Sequence, residues 1–199
     1  LNVYADFVEN YLAIPVIKGR KTDSEKFAGA EATFTIEPMM HDGKALQGGT
    51  SHYFGNGFAR AFDITYLDRQ NTLQHPFQTS WGMSTRIMGA IIMTHGDDSG
   101  LILPPAVAPV QVIVVPVAQH KPGVLDKAAE LLGTLQGAGI RAKADTSEQS
   151  PGWKYAEYEM KGVPLRLEVG PRDIENGQCV LVRRDTGEKI TVRESDLAA

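Results

Sequence analysis

The sequence has little that would indicate a disulfide-stabilised, membrane-spanning or strongly basic protein. Cys179 is the only cysteine in 199 residues, so no internal disulfide can form and a metal site with four thiolates is excluded. No stretch reaches the roughly 18–20 apolar residues that a membrane helix needs, and no signal peptide is recognisable. Because the formal net charge is -4, any contact with nucleic acid must come from individually placed side chains rather than from a general positive field.

The remaining composition is that of an ordinary globular protein. Hydrophobic residues make up 42% and charged residues 22%, which suffices for a buried core in one or two domains. Cys179 lies in the apolar run CVLV, which predicts an inert core thiol and suits a reducing cytoplasm. The chain begins at Leu1 inside a helical pattern. We therefore expect it to start within a larger protein; a trimmed tag or a processed terminus is the alternative.

The clearest signal of a domain boundary is the segment LPPAVAP at residues 103–109. Its three prolines disfavour the interiors of helices and strands, so we predict two domains, 1–109 and 110–199. In the first domain, helices are predicted over 2–12, 57–62 and 85–95, and strands over 13–17, 32–36, 45–54, 62–67 and 76–83. In the third helix, Ile87, Ile91 and Ile92 are expected to face inward.

The second domain has the pattern of a small mixed sheet covered by helices. Residues 110–117 form a continuous run rich in β-branched residues, which is typical of a buried parallel strand. Further strands are predicted over 140–144 and 165–169, helices over 122–136 and 153–160, and a hairpin over 179–183 and 190–193 around the turn at 185–187. The β-α-β-α-β order predicts an α/β (α+β) fold.

Residues 47–52, QGGTSH, place small residues between hydrogen-bonding side chains. The glycines would let a ligand approach the backbone closely. Gln47, Thr50 and His52 have mixed parity, so they do not all share one face of a regular strand. The alternative is a glycine-rich strand with a bulge and no ligand.

Residues 80–86, SWGMSTR, predict a strand that runs into a helix, with Ser84 or Thr85 as the helix cap. Arg86 would occupy the first helical turn, where the helix dipole disfavours a cation. An arginine there suggests an anionic partner, since arginine binds phosphate and stacks on nucleobases. An exposed Arg86 paired with a surface carboxylate, and a Trp81 that is simply a core aromatic, are the alternatives.

Several segments taken in order resemble prolyl-tRNA synthetases of the form shared by archaea, eukaryotes and some bacteria. They are residues 18–29, 43–52, 80–86, 95–98 and 103–105, and the resemblance extends through essentially the whole chain. It implies the second half of a class II antiparallel-sheet catalytic domain followed by a mixed-sheet anticodon-binding domain.

The resemblance also implies roles for individual residues. SWGMSTR would be class II motif 3, with Arg86 as the catalytic arginine that holds ATP. Gln47, Thr50 and Ser84 would hydrogen-bond the nucleotide, and Phe27 would lie near it. The family usually has Thr where Ser84 stands, and the hydroxyl is kept. His52 and Trp81 would line the proline pocket, because aromatic walls fit a compact pyrrolidine ring.

The implied reaction is activation of L-proline by ATP with Mg²⁺, followed by transfer to tRNA(Pro). It rests on positioning and charge stabilisation. The resemblance further implies a cytoplasmic homodimer for the parent protein, with no membrane partner and no resident metal site. Motif 1, the Thr-x-Glu proline loop and motif 2 precede residue 1 in the family, and the family's C-terminal extension is missing after Ala199. We therefore expect these 199 residues alone to be inactive.

In the second domain, Tyr155 and Glu159 are at i and i+4 and share a helix face. Together with arginines they could read unstacked bases; a solvated helix face with Asp173 as a turn cap is the alternative. The resemblance assigns the two guanines of the proline anticodon to Tyr155, Glu159, Arg166, Arg172, Asp173 and Lys189. The family tends to have Phe at Tyr155 and Lys at Arg172. Arg183 and Arg184 are expected to bracket the hairpin turn.

Two competing functions stay open at this point. One is another class II synthetase, of the threonyl or glycyl type, which QGGTSH with SWGMSTR disfavours; a threonyl enzyme would also need zinc ligands, and no cysteine precedes Cys179. The other is a non-catalytic paralogue that binds RNA or regulates.

Overall fold

The computed structural model describes residues 1–197, and the chain divides into two compact units, residues 1–94 and the residues from 95 onward. The proline-rich segment packs with the second unit. Leu101 N–H donates to the Met160 carbonyl (3.0 Å), and the Arg141 guanidinium donates to the carbonyls of Pro105, Ala106 and Ala108, each at 2.9 Å. The compact units therefore divide earlier than residue 109, and a boundary at 109 between the family's domains stays a prediction.

The first unit is built on a four-stranded antiparallel sheet with the order β1-β2-β3-β6. Its strands are β1 (Ile17–Arg20), β2 (Ala32–Glu37), β3 (Gly49–Gly55) and β6 (Gln78–Gly82), with a separate two-stranded hairpin of β4 (Tyr66–Leu67) and β5 (Leu73–Gln74). Its helices are α1 (Asn2–Asn10), α2 (Gly57–Ala61) and α3 (Arg86–His95).

One face of this sheet buries hydroxyl groups instead of an apolar core. Thr33 and Thr35 of β2 are 1% and 6% exposed, and they share a face because side chains alternate along a strand. Phe34, between them, is exposed on the other face. Buried polar side chains need hydrogen-bond partners, so this face is where a polar site is expected.

Three local predictions for the first unit are wrong. Residues 13–16 are not a strand: Ala13 has a left-handed φ of 54°, and Ile14 N–H closes the end of α1 by bonding to the Val8 carbonyl. The strand begins at Ile17 instead and includes Lys18 and Arg20, since charged side chains are tolerated at an exposed sheet edge.

The predicted strand 62–67 is reduced to β4, because residues 57–61 are helical and Asp63 has a φ of 52°. Ile92 was expected to face inward but is 54% exposed, whereas Ala90 is the fully buried residue of α3. The apolar face that α3 packs against the first unit is therefore narrower than the spacing of its isoleucines predicts.

The second unit contains a five-stranded mixed sheet with the order β11-β10-β9-β7-β8. Its elements are β7 (Val112–Pro116), α4 (Val124–Gly137), β8 (Ala142–Ala144), α5 (Pro151–Met160), β9 (Leu165–Val169), α6 (Pro171–Glu175), β10 (Gln178–Arg183), β11 (Lys189–Arg193) and a 3-10 turn (Glu194–Asp196). β7 pairs in parallel with β8 and β9, and the other pairs are antiparallel. The mixed sheet with helices that the sequence predicted is confirmed.

Every residue of β7 is buried, as a central parallel strand requires. Val112 and Val114 pack in one cluster with Leu131 and Leu135 of α4, and Ile113 and Val115 pack on the opposite face in a cluster with Tyr155 and Tyr158 of α5. α4 and α5 therefore cover opposite faces of the sheet, which fixes α5 over β7.

Cys179 belongs to the α4 cluster and has no exposed surface. Burial raises the pKa of its thiol to about 11, so it is the unreactive core thiol that the sequence predicted. Within residues 1–197, no helix is both long enough and apolar enough to cross a bilayer.

Candidate functional sites

The polar face of the first sheet brings side chains from three strands into register. Thr33 lies opposite His52, which lies opposite Ser80, and Thr35 lies opposite Thr50 in the next row. Directly paired residues have their side chains on the same face of the sheet. This face therefore forms a floor of hydroxyl and imidazole groups.

A cleft of about 370 Å³ opens above part of this floor. It is lined by Gln47, Gly48, Gly49, Thr50, His52, Ser80, Trp81, Gly82, Met83, Ser84 and Arg86. The two segments QGGTSH and SWGMSTR thus meet at one cleft. Among the described residues that line it, Arg86 is the only arginine or lysine and none is an aspartate or glutamate, so the cleft suits an anionic ligand.

The two glycines of QGGTSH lie in tightly packed surroundings. A Cβ on Gly48 would lie 3.3 Å from the Ile36 carbonyl oxygen, and one on Gly49 would lie 3.2 Å from the Tyr4 ring. Gly48 N–H also bonds to that same Ile36 oxygen at 2.8 Å. Gly48 therefore allows close approach to the backbone of β2, and Gly49 leaves room for the Tyr4 ring.

His52 is held through both ring nitrogens. Its Nδ1 lies 2.9 Å from the Thr33 hydroxyl and its Nε2 lies 3.2 Å from the Thr50 hydroxyl. Thr50 and His52 share a face, as their equal parity predicted. The imidazole consequently has one defined orientation in the floor.

Two aromatic rings lie next to His52. Phe27 approaches His52 with a ring-centroid distance of 5.1 Å, and Phe54 stacks on the same ring at 5.8 Å. Phe27 keeps 52% of its surface exposed. It contacts His52 without being among the residues that line the cleft, so it forms a neighbouring wall for a small apolar group.

Arg86 lies in the first turn of α3, and Ser84 caps that turn. The Ser84 hydroxyl accepts a hydrogen bond from Arg86 N–H at 3.3 Å, which confirms one of the two predicted caps. Within the described part of the chain, the Arg86 guanidinium makes two long contacts, from Nη1 to the Gln47 carbonyl (3.4 Å) and to Gln47 Oε1 (3.5 Å). Most of its donors therefore remain available to a ligand.

Trp81 is not brought together with His52. In the register of β3 and β6, Trp81 pairs with Ser51 while His52 pairs with Ser80, so the Trp81 side chain lies on the opposite face of the sheet. It is also 68% exposed, which excludes the alternative that it is a core aromatic of this unit. Trp81 borders the cleft, and the strand register indicates that it does so mainly through its backbone.

In the second unit, Arg166 is the centre of a buried charged cluster. It is 8% exposed and pairs through Nη1 with Glu159 (2.8 Å) and through Nε with Glu168 (2.9 Å). Its guanidinium also stacks 3.9 Å from the centre of the Tyr155 ring. The shared face of Tyr155 and Glu159 that the sequence predicted is therefore the face that meets Arg166.

The tyrosine of this cluster remains a neutral hydrogen-bonding group across the physiological range. Burial, and then the negative charge of Glu168, raise the pKa of Tyr155 to about 12. Its ring thus keeps its phenolic proton while it packs against a charged arginine.

A second cleft, of about 430 Å³, opens beside Arg166. Glu159, Arg166 and Lys189 line it, together with Asp97 and Arg184. Asp97 and Arg184 form a doubly hydrogen-bonded pair (2.6 and 2.8 Å), and this pairing holds the pKa of the Asp97 carboxyl at about 2. No local signal links these two residues, which are far apart in sequence.

Arg172 and Asp173 lie at the start of α6 and are not among the residues that line this cleft. Asp173 caps the helix, since its Oδ2 accepts from Gly170 N–H at 2.9 Å. The capping alternative considered from the sequence is therefore realised for one oxygen of Asp173. Arg172 is exposed and free to meet an anion.

Of the two arginines expected to bracket the hairpin turn, only Arg183 does so. Arg183 pairs with Asp185 across the hairpin turn at 2.7 and 3.0 Å, as a bracketing residue should. Arg184 instead donates to the Glu159 carbonyl and to Asp97, so it supports the wall of the cleft.

Helix α5, which carries Tyr155 and Glu159, is anchored by a buried lysine. Lys154 is 1% exposed, and its Nζ donates to the Asp145 carbonyl (2.8 Å) and to Gln119 Oε1 (3.2 Å). It thereby connects α5 to the loops that follow β7 and β8. Such a buried ammonium needs these partners, because an unpaired one would be strongly destabilising.

Within residues 1–197, no group of three or more His, Cys, Asp and Glu side chains is arranged to hold a metal ion.

Comparison with known proteins identifies relatives along the whole chain. The profile of the anticodon binding domain family matches residues 111–199. A proline–tRNA ligase of Lachnospira eligens is 67% identical over 198 residues, which is 100% of this chain and 41% of the relative. A proline–tRNA ligase of Ruminiclostridium cellulolyticum is 66% identical over 197 residues, 99% of this chain and 41% of the relative. The chain thus spans about two fifths of the length of these relatives.

A solved structure has the same fold. A crystal structure of prolyl-tRNA synthetase from Cryptosporidium parvum, complexed with L-proline and AMP, superposes with a TM-score of 0.92 and 44% sequence identity. The match covers 100% of this chain and 44% of that one.

Proposed function

Because the chain is homologous from end to end to a segment of prolyl-tRNA synthetases, we propose that it serves in ATP-dependent activation of L-proline and transfer of the prolyl group to tRNA(Pro). The observation that carries this proposal is the single cleft lined by Gln47, Thr50, His52 and Arg86. In this assignment the first unit contributes part of the aminoacylation site, and the second unit binds the anticodon.

ATP is the proposed ligand beside Arg86. The loosely held guanidinium can stack on adenine or pair with a phosphate, and the uncompensated positive charge of the cleft favours an anion. Gln47, Thr50 and Ser84 supply amide and hydroxyl groups for hydrogen bonds to the nucleotide. Positioning and charge stabilisation are what in-line attack of a carboxylate on a phosphate requires.

L-proline is the proposed ligand near His52. The rings of Phe27 and His52, tilted by 49° with centroids 5.1 Å apart, offer aromatic surface against which a pyrrolidine ring can pack. Trp81 is retained only as part of the rim of this site, since its side chain would have to reach around from the opposite face of the sheet.

The remaining parts of the reaction are proposed on homology alone. Mg²⁺ is expected to arrive with the phosphates of ATP, and none of the cleft residues named above supplies a carboxylate for it. The homodimer and the cytoplasmic location are likewise proposed for the protein as a whole.

The second unit is proposed to read the anticodon guanines. Guanine presents O6 and N7 as acceptors and N1–H and N2–H₂ as donors, so a carboxylate beside cationic donors is complementary to it. Glu159, Arg166 and Lys189 provide that combination around one cleft. Tyr155 would orient Arg166, exposed Arg172 would contact the loop, and Asp173 would hold the turn that presents Arg172.

A chimaeric enzyme tests the catalytic assignment. These 199 residues replace the homologous segment of the Lachnospira eligens ligase, and proline-dependent exchange of pyrophosphate into ATP is measured. We expect exchange close to that of the parent enzyme, and Arg86→Met is expected to reduce it by about 100-fold or more, the usual cost of removing a charge-stabilising donor.

The 199 residues alone are expected to give no exchange, because class II motifs 1 and 2 are not among them. A chimaera that folds and dimerises like the parent but fails to exchange would favour the non-catalytic paralogue instead.

A binding assay tests the second unit. The affinity of the 199-residue chain for tRNA(Pro) is compared with that for transcripts in which either anticodon guanine is replaced by adenine. Each replacement should weaken binding by about tenfold or more, since it reverses donors and acceptors on the edge that is read. Equal affinity for all three transcripts would contradict the anticodon assignment without touching the catalytic one.

A further inference from the structure

Thr33 connects the loop that carries Phe27 to the imidazole of His52. Its hydroxyl oxygen lies 3.1 Å from Phe27 N and 2.9 Å from His52 Nδ1. At 1% exposure the hydroxyl has no access to solvent. Among the described residues, these two groups are the partners found for it.

The direction of the hydrogen bonds around Thr33 follows from the chemistry of its partners. A backbone N–H can only donate, so Phe27 N–H donates to the Thr33 oxygen. The hydroxyl then has one proton to place, and a buried donor left without an acceptor is destabilising. His52 Nδ1 is the acceptor within reach, and it can accept only when the ring proton is on Nε2.

The same direction continues to Thr50. With the ring proton on Nε2, His52 donates to the Thr50 hydroxyl oxygen across 3.2 Å. No second hydrogen bond of the Thr50 side chain occurs within residues 1–197, and Thr50 lines the cleft. Its own proton is therefore free to point at a ligand.

We propose that Thr33 is a positioning residue that holds His52 as the Nε2–H tautomer and thereby makes the Thr50 hydroxyl a hydrogen-bond donor toward the ligand in the cleft. The hydrogen bonds all have the same direction: Phe27 N–H donates to Thr33, Thr33 donates to His52, and His52 donates to Thr50. The ligand atom that Thr50 meets must accordingly be an acceptor, such as a phosphate or carboxylate oxygen. The identity of that ligand rests on the proposed function, whereas the tautomer does not.

The tautomer is read directly from the histidine nitrogens. The 199-residue chain is labelled with 15N-histidine and examined by long-range 1H–15N correlation at about pH 8, where an ordinary imidazole, with a pKa of about 6.5, is neutral. We expect His52 Nδ1 to resonate as an unprotonated nitrogen and Nε2 as a protonated one. A protonated Nδ1, or averaged shifts for both nitrogens, would overturn the proposal before any variant is made.

Three variants then isolate the role of Thr33. Thr33→Val removes the hydroxyl with little change of volume and should move both His52 nitrogens toward averaged shifts, while Thr33→Ser should keep the wild-type pattern. Thr35→Val is the matched control: Thr35 is a buried threonine two residues along β2, and its hydroxyl contacts Ile36 and Glu37 rather than His52. If the His52 nitrogens of Thr33→Val keep their wild-type shifts, Thr50 alone determines the tautomer and the proposal is wrong.

The functional consequence is measured in the chimaera. Thr33→Val should raise the KM for ATP or for proline by about fivefold, the effect of one misdirected neutral hydrogen bond, and Thr33→Ser should restore it. If the wild-type chimaera is inactive while the nitrogen shifts are as expected, the proposed function fails and the tautomer assignment stands. If the chimaera is active and Thr33→Val leaves both KM values unchanged, the claim that Thr50 donates to the ligand is wrong.

Discussion

Arg86 in the first unit and Arg166 in the second are both assigned to a ligand, yet their surroundings are opposite. Arg86 is exposed, and its contacts to Gln47 are 3.4 and 3.5 Å long. Arg166 is buried, pairs with two carboxylates at 2.8 and 2.9 Å and stacks on Tyr155. The protein leaves the guanidinium of Arg86 with weak partners, whereas two carboxylates already balance the charge of Arg166.

This difference separates binding from stability in the two units. An arginine with weak protein contacts can be removed with little effect on folding, and its loss is felt by the ligand. Removing a buried arginine from between two glutamates lowers the stability of the fold, because the carboxylates are then left without a compensating charge. The two arginines should therefore give opposite results in the same pair of measurements.

The largest expected effect is on the stability of the second unit. Arg166→Met should lower its free energy of unfolding by about 3 kcal/mol, since breaking a buried ion pair from one side leaves a desolvated charge behind. Arg86→Met is the matched control and should change the free energy of unfolding of the first unit by less than about 0.5 kcal/mol.

The two tryptophans allow each unit to be followed separately. Trp81 belongs to the first unit and Trp153 to the second, so denaturant unfolding is monitored by fluorescence in Trp81→Phe and Trp153→Phe backgrounds. Similar losses for Arg166→Met and Arg86→Met would remove the distinction between the two sites.

A smaller effect concerns the stability of the second unit at acidic pH. The hydrogen bonds from Arg184 lower the pKa of Asp97 to about 2 from a reference of 3.8. Because the folded pKa is depressed, this pairing stabilises the fold above about pH 4, and the contribution is lost as the pH falls toward 2.

Carboxyl 13C titration of Asp97 checks this directly. The midpoint should lie near 2 in the wild type and should return toward 3.8 in Arg184→Met. A wild-type midpoint at the ordinary value would mean that the Asp97–Arg184 pair is not formed in solution, and the wall of the second cleft would then be less fixed than the geometry indicates.

The second unit could be predicted well from the sequence because its pattern is governed by burial. The continuous apolar run around Val112–Pro116 and the helical spacing of Leu131 and Leu135 both report a sheet covered by helices, and both are found. In the first unit the sheet's key face is polar, so hydrophobic periodicity carried less information. The strands predicted over 13–17 and 62–67 were wrong for local reasons, since Ala13 and Asp63 have left-handed backbone conformations.

The candidate site shows the same limit at the level of single residues. The resemblance implied that Gln47, His52 and Arg86 serve one nucleotide and proline site, and these three residues line one cleft together with Thr50. The face on which Trp81 lies and the contact between Thr33 and His52 depend on the register between strands, which residue types alone do not specify. Family resemblance carried roles to positions but could not supply that register.

The clamp of Arg141 on the carbonyls of Pro105, Ala106 and Ala108 has a consequence for folding. Three prolines within residues 103–109 deprive this segment of backbone donors, so a side chain from just before β8 provides the donors instead. The conformation of the segment therefore depends on a side chain that lies more than thirty residues further along the chain. Replacing Arg141 would leave these three carbonyls without their guanidinium donors, although the prolines themselves are unchanged.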